Sequence, residues 1–326
     1  MPTGRTDLYF GVRIIMLGVI SVVKKVATVG VRSIGRRPLS SASSSERLIS
    51  AGNAKSLHSK GKIKFVDVRP PAEYSKGHIP EAVNIYQIFT YLAASDRHGV
   101  ETLKNTFESL FQDAGINGDE RIITYEDRLT TMYGASCRGF YLLKLLGHPS
   151  VSVLNGGLES WLKNGYPLSS LTPSIARGKF KATWTAAMWS GKDDVMKLIE
   201  EKNAILLDTR DIDEWKAGSS SPYGIDFVPR KGRIPGAVHM LWHDFMETKE
   251  DGLTYFRKPE DVRERCAAKG LTPNKEIVVY CFKGSRSSNA YIALREAGFD
   301  NVTNYFGSWN EWSRDHSLKI DPRSLE

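Results

Sequence analysis

Residues 278–288 read Val278-Val279-Tyr280-Cys281-Phe282-Lys283-Gly284-Ser285-Arg286-Ser287-Ser288, and 290–298 continue Ala290-Tyr291-Ile292-Ala293-Leu294-Arg295-Glu296-Ala297-Gly298. A β-branched run stops at a cysteine, small and basic residues follow, and a helical stretch begins. Strand, tight loop and helix start in that order place a thiol at the positive end of a helix, within a ring of backbone N–H groups. Such a position stabilises a thiolate and makes the cysteine a nucleophile. Lys283 and Arg286 add positive charge that lowers the thiol pKa and attracts an anion.

Working outward, the chain repeats itself. Lys64-Phe65-Val66-Asp67-Val68-Arg69 matches Ile205-Leu206-Leu207-Asp208-Thr209-Arg210, and Gly77-His78-Ile79-Pro80-Glu81-Ala82-Val83 matches Gly232-Arg233-Ile234-Pro235-Gly236-Ala237-Val238. Arg121-Ile122-Ile123-Thr124-Tyr125 matches Glu276-Ile277-Val278-Val279-Tyr280, and Asn155-Gly156-Gly157-Leu158-Glu159-Ser160-Trp161 matches Phe306-Gly307-Ser308-Trp309-Asn310-Glu311-Trp312. Ordered blocks at an offset of about 141–155 residues mean a duplicated domain, not a solenoid of short units. Residues 204–207, 278–280 and 302–305 read as buried parallel strands, and 193–202 and 259–268 as helices, with Pro259 at a helix start and Gly270 at a stop. Alternating strand and helix predict, in each half, a mainly parallel sheet with helices on both faces, an α/β fold whose ligand sits beyond the carboxyl ends of the strands. The expected division is 1–44 as a targeting segment, 48–166 as a first domain, 167–181 as a Ser/Thr/Pro/Gly-rich linker, and 182–320 as a second domain.

The composition excludes several classes. The chain has 326 residues, 41% hydrophobic and 25% charged, as for two soluble globular domains. Its three cysteines, Cys137, Cys266 and Cys281, have no CxxC spacing and are too few for a disulfide framework. A reducing compartment suits them. Neither a metal-ligand cluster nor a nucleotide fingerprint is present, so no cofactor is expected. Residues 1–44 hold seven basic side chains against Asp7 and carry +6 of the net +8 charge, so the remainder is near neutral and no nucleic-acid patch is indicated. That segment is acid-poor and ends in a serine-rich stretch, the composition of a mitochondrial presequence, and the matrix is the expected location. A secretory signal built on the apolar run 14–23 is the rival reading, and a plain tail on a cytoplasmic protein is the third. The run is too short for a stable membrane span.

Taken together, the duplicated Asp-x-Arg and Gly-x-Ile-Pro-x-Ala-Val blocks, the Cys281–Arg286 loop of pattern Cys-x-x-Gly-x-Arg, and Gly307-Ser308-Trp309-Asn310-Glu311-Trp312 resemble the tandem-domain rhodaneses, over about residues 48–320. The resemblance implies thiosulfate or 3-mercaptopyruvate sulfurtransferase activity. Cys281 would take the outer sulfur of a small anionic donor as a persulfide and pass it to cyanide or a thiol, with thioredoxin among the acceptors, in a double displacement. Glu126 stands in the first half where Cys281 stands in the second, so that half is expected to be non-catalytic. Lys283 leans the donor towards thiosulfate, whereas Phe282 replaces the arginine usual in thiosulfate-preferring members.

Phe282, Lys283, Gly284, Ser285, Arg286 and Ser287 are therefore the expected substrate-binding residues around catalytic Cys281. Arg286 reads either as an anion clamp or as a structural pin. Many two-domain members carry a basic donor-binding residue at the position held here by Glu214. Its role is expected to pass to Arg230, Lys231 or Arg233, with Arg210 as a further donor contact, although the recurrence of that arginine in both halves favours structure. Cys137 and Cys266 read as packing residues. Two other functions compete. A cysteine phosphatase would need five residues between cysteine and arginine, and here there are four. A non-catalytic sensor or adaptor would dispense with the thiol.

Overall fold

The computed structural model describes residues 47–61 and 63–322; the basic segment 1–44 lies outside them. The first half runs β1 (Leu48–Ile49), α1 (Ala51–His58), β2 (Ile63–Asp67), α2 (Pro71–Lys76), β3 (Val83–Asn84), α3 (Gln87–Thr90), α4 (Arg97–Asp113), β4 (Arg121–Tyr125), α5 (Ala135–Leu145), β5 (Val151–Leu154) and α6 (Gly157–Lys163). The second runs β6 (Trp189–Ser190), α7 (Lys192–Glu201), β7 (Ile205–Asp208), α8 (Ile212–Trp215), β8 (Val238–His239), β9 (Met246–Thr248), β10 (Thr254–Phe256), α9 (Pro259–Ala267), β11 (Ile277–Tyr280), α10 (Ser285–Glu296), β12 (Val302–Tyr305) and α11 (Ser308–Trp312).

Each half builds one five-stranded, all-parallel sheet, in the orders β1-β5-β4-β2-β3 and β6-β12-β11-β7-β8. The two orders superimpose strand for strand, as the repeat requires. Both central strands, β4 and β11, carry apolar runs that are buried on both faces, as a parallel sheet covered by helices demands. An antiparallel hairpin, β9–β10, is added in the second half. The expected elements are found within a residue or two of their ends. Pro259 opens α9 at its first turn, and residues 170–181 of the linker form no regular element.

The outer face of each sheet has its own small core: Phe65, Tyr125 and Trp161 in the first half, and Val278, Tyr280 and Trp309 in the second. The inner faces share one. Val66, Phe107 and Tyr141 of the first half belong to the same buried apolar cluster as Val279, Ile292 and Phe306 of the second. Helices α5 and α10 pack against each other in its middle. Tyr141 stacks on Phe306 at 5.4 Å between ring centroids and meets the edge of Tyr291 at 5.3 Å. Each of these helices starts on a glycine in the left-handed region, Gly134 at φ 77° and Gly284 at φ 98°. The carboxyl ends of both central strands thus open towards the seam between the halves. Among the described residues no helix is long and apolar enough to cross a membrane.

Candidate active site

Central strand β11 ends at Tyr280, and the next residue, Cys281, sits in the turn that leads into α10. Gly284 makes this turn possible: its φ lies outside the range of most L-residues, and a Cβ there would come within 2.6 Å of the Phe306 ring. The turn aims N–H groups inward. Gly284 N–H donates to Cys281 Sγ at 3.1 Å, and the Ser287 hydroxyl lies 3.6 Å from the same sulfur. The thiol is 1% exposed. Burial alone would raise its pKa, but the Arg286 charge, the Ser287 hydroxyl and N–H, and the Gly284 N–H outweigh burial and hold the thiol below its ordinary value.

The start of α11 secures the loop from behind. Trp309 N–H donates to Cys281 O at 3.0 Å and Asn310 N–H to Phe282 O at 2.9 Å. Cys281 N–H donates to Ser308 Oγ at 3.2 Å. Ser308 takes a left-handed backbone, φ 56°, to reach it. The Gly-Ser-Trp-Asn-Glu-Trp block therefore clamps the Cys281 loop, with Ser308 Oγ holding the Cys281 N–H.

The first half repeats the scaffold with different chemistry. Glu126 follows β4 as Cys281 follows β11. Its carboxylate accepts from Ser136 N–H at 2.9 Å, Ser136 Oγ–H at 2.8 Å and Met132 N–H at 2.9 Å. Burial nevertheless pushes its pKa up to about 7. A carboxyl group occupies the helix N-terminus that a thiol occupies in the other half.

A family profile for the rhodanese-like domain matches this chain twice, over residues 50–164 and 192–315. The chain belongs to the rhodanese-like family. A Haloferax volcanii protein provisionally named a thiosulfate sulfurtransferase is 32% identical over 250 residues, 76% of this chain and 84% of that protein. The thiosulfate sulfurtransferase of Azotobacter vinelandii is 28% identical over 257 residues, 79% of this chain and 90% of its own length. Among solved structures, an Escherichia coli 3-mercaptopyruvate sulfotransferase superimposes with a TM-score of 0.66 at 24% identity, over 81% of this chain and 98% of that one, and so shares the fold.

Within this rhodanese-like frame, Arg286 is paired with two carboxylates. Its Nη1 donates to Glu214 Oε2 at 2.5 Å and Asp211 Oδ2 at 2.9 Å, and its Nη2 to Glu214 Oε1 at 3.0 Å. Glu214, read from the sequence as a lost donor contact, is the counter-ion that makes a buried arginine tolerable beside the thiol. Arg210 is spent on Asp208, with contacts from 2.6 to 3.0 Å, and on Gly232 O at 2.9 Å, and its guanidinium carbon lies 4.6 Å from the Trp309 ring centroid. Arg69 makes the same bonds to Asp67 and Gly77 O, and its Nη1 also takes Asp127. In the second half Phe282 replaces that aspartate, and Arg210 Nη1 has no partner among the described residues.

The three residues offered in place of position 214 are also committed. Arg230 donates to the carbonyls of Trp312, Ser313, Asp315 and Leu318. Lys231 pairs with exposed Asp226, and Arg233 stacks over Trp215 and bonds its carbonyl. Phe282 is buried under Tyr223 and Phe227 of the loop between α8 and β8, and the Ser285 hydroxyl is buried without a partner. Cys137 and Cys266 are buried, and burial raises the pKa of both thiols.

Lys283 occupies a different setting. Its ammonium lies 3.9 Å from the Phe89 ring centroid and 4.7 Å from that of Tyr223, so its cage is assembled from both halves. Burial, reinforced by the nearby Arg138 charge and opposed by Cys281, draws its pKa down to about 7. Phe89, Tyr223 and Arg138 went unremarked in the sequence. For Arg138 there was a signal: it is the one charged residue in the run 135–143, which otherwise reads as a buried helix.

Proposed function

We propose that this protein is a thiosulfate sulfurtransferase acting through a persulfide on Cys281. The thiolate attacks the outer sulfur of thiosulfate, the donor's S–S bond breaks, and sulfite leaves with the electron pair. Cyanide or a thiolate, thioredoxin among the candidates, then attacks the terminal sulfur, breaks the persulfide bond and returns Cys281 as thiolate. Atoms and electrons balance without an external oxidant. One observation carries the reading: a buried Cys281 Sγ held by the Gly284 N–H and the Ser287 hydroxyl, with its pKa depressed beside Arg286. The same N–H ring supports the terminal persulfide sulfur. Glu126 gives the first half no sulfur nucleophile, and that half is non-catalytic in this scheme.

The test is intact mass of donor-treated protein alongside turnover with thiosulfate and 3-mercaptopyruvate. The expected result is a gain of one sulfur atom, lost in Cys281→Ser, with the higher kcat/KM for thiosulfate. Absence of the gain with either donor defeats the mechanism. On the composition of residues 1–44 the protein is assigned to the mitochondrial matrix. A reporter fused behind that segment should be imported, and one that stays in the cytosol ends the assignment.

A further inference from the structure

Arg230 donates to four carbonyls of the 312–318 stretch, Lys231 pairs with Asp226, Arg233 bonds Trp215 O, and Arg286 is paired with Glu214 and Asp211, so the cations without such ties at the loop are the ones to ask about. Among the described residues two buried cations at the loop have no carboxylate partner. One is Lys283 in its aromatic cage. The other is Arg138, on α5 of the first half. Its Nη1 donates to Phe89 O at 3.1 Å and its Nη2 to Tyr91 O at 2.6 Å, while Nε is buried without a partner. Its guanidinium carbon lies 4.7 Å from the centroid of Phe306, the ring that packs against Gly284 of the cysteine loop. Phe89 joins the two cations, its carbonyl taking Arg138 and its ring taking Lys283.

Two carbonyl dipoles and an aromatic face do not cancel a buried full charge, which is costly without a counter-ion. The Cys281 thiolate supplies one negative charge to two cations. A dianion with sulfonate oxygens supplies the remainder and gives the free Nε an acceptor. We propose that Arg138, contributed by the half without a nucleophile, is the second cation of the donor site and, with Lys283, holds the sulfonate oxygens of the sulfur donor against Cys281. Burial lowers Arg138 to about 10 and Lys283 to about 7, with the Arg138 charge adding to the fall at Lys283, so a bound dianion favours the charged form of both. The inference rests on the thiosulfate reading above and supplies the positive charge that Glu214 withdrew.

Steady-state transfer from thiosulfate to cyanide, compared for wild type, Arg138→Met and Arg138→Lys, tests it. The methionine variant should raise the thiosulfate KM roughly tenfold or more with kcat nearly unchanged, and lysine should recover most of the loss. A folded Arg138→Met protein with an unchanged thiosulfate KM overturns the inference. A crystal structure of Cys281→Ser protein soaked with thiosulfate decides independently of how the Arg138 variants fold. Sulfonate oxygens within hydrogen-bond distance of both Arg138 and Lys283 support the assignment, and an anion bound away from Arg138 overturns it. Wild type that fails to turn over thiosulfate overturns the donor reading itself, and takes the inference with it. Active wild type with an indifferent variant overturns the role of Arg138 alone.

Discussion

At the scale of single residues, the site sets two titrations against each other. Cys281 is held towards thiolate, which needs positive surroundings, while Lys283 two residues later is drawn towards its neutral form by burial. Near neutrality Lys283 is close to half protonated, and only the protonated form attracts an anion. The sign for donor binding follows: affinity is greatest below about pH 7 and is lost as pH rises through that value. Cys281→Ser removes the thiol titration and leaves Lys283 to be read alone. Calorimetric titration of that variant with thiosulfate should show affinity falling as pH rises through the Lys283 titration, which shifts below its wild-type position of about 7 because the sulfur that raises it is gone. Adding Lys283→Met should weaken binding at pH 6 and flatten the profile. A profile that stays steep without the lysine would assign the titration to another group.

At the scale of elements, what the sequence disclosed and what it withheld divide along one physical line. Strand, loop and helix around Cys281 were legible because each is encoded locally: β-branched residues in β11, glycine at the left-handed turn, an apolar run in α10. The duplication was legible because the paired Asp-x-Arg units solve one local problem twice, tying the end of β2 or β7 to the following loop through Asp67–Arg69 or Asp208–Arg210. Charge pairing between elements was not legible. Glu214 on α8 looked like a deleted donor contact until the start of α10 was seen to place Arg286 against it. Within the pair each side chain makes the other tolerable, and removing one partner of such a buried pair costs about 3–5 kcal/mol. No local pattern announces that match, because the partners lie 72 residues apart. The reach of Arg138 from α5 is harder still, since it depends on how two sheets are set face to face.

At the scale of the whole molecule, the two halves share one apolar core. Interfaces between domains are commonly modest and polar, and permit independent motion. Here the apolar cluster passes without a break from Val66 and Phe107, through Tyr141, to Phe306 and Ile292. Polar ties lie across the same seam: Glu311 Oε1 accepts from Ser95 N–H at 2.6 Å and Ser95 Oγ–H at 2.9 Å, and Arg47 pairs with Glu296 at 2.7 Å. Cutting the chain in the linker would expose the inner face of α10, including Tyr291, and would strip Phe89 and Arg138 from the loop. Two consequences are expected. Calorimetry of the intact protein should show a single unfolding transition, with the van't Hoff and calorimetric enthalpies in agreement. Residues 182–326 produced alone should be poorly soluble or expanded, and should transfer sulfur from thiosulfate at a small fraction of the intact rate despite containing Cys281. Two resolved transitions, or a soluble fragment with full activity, would mean that the seam is a contact between independent domains and that the first half contributes nothing to the donor site.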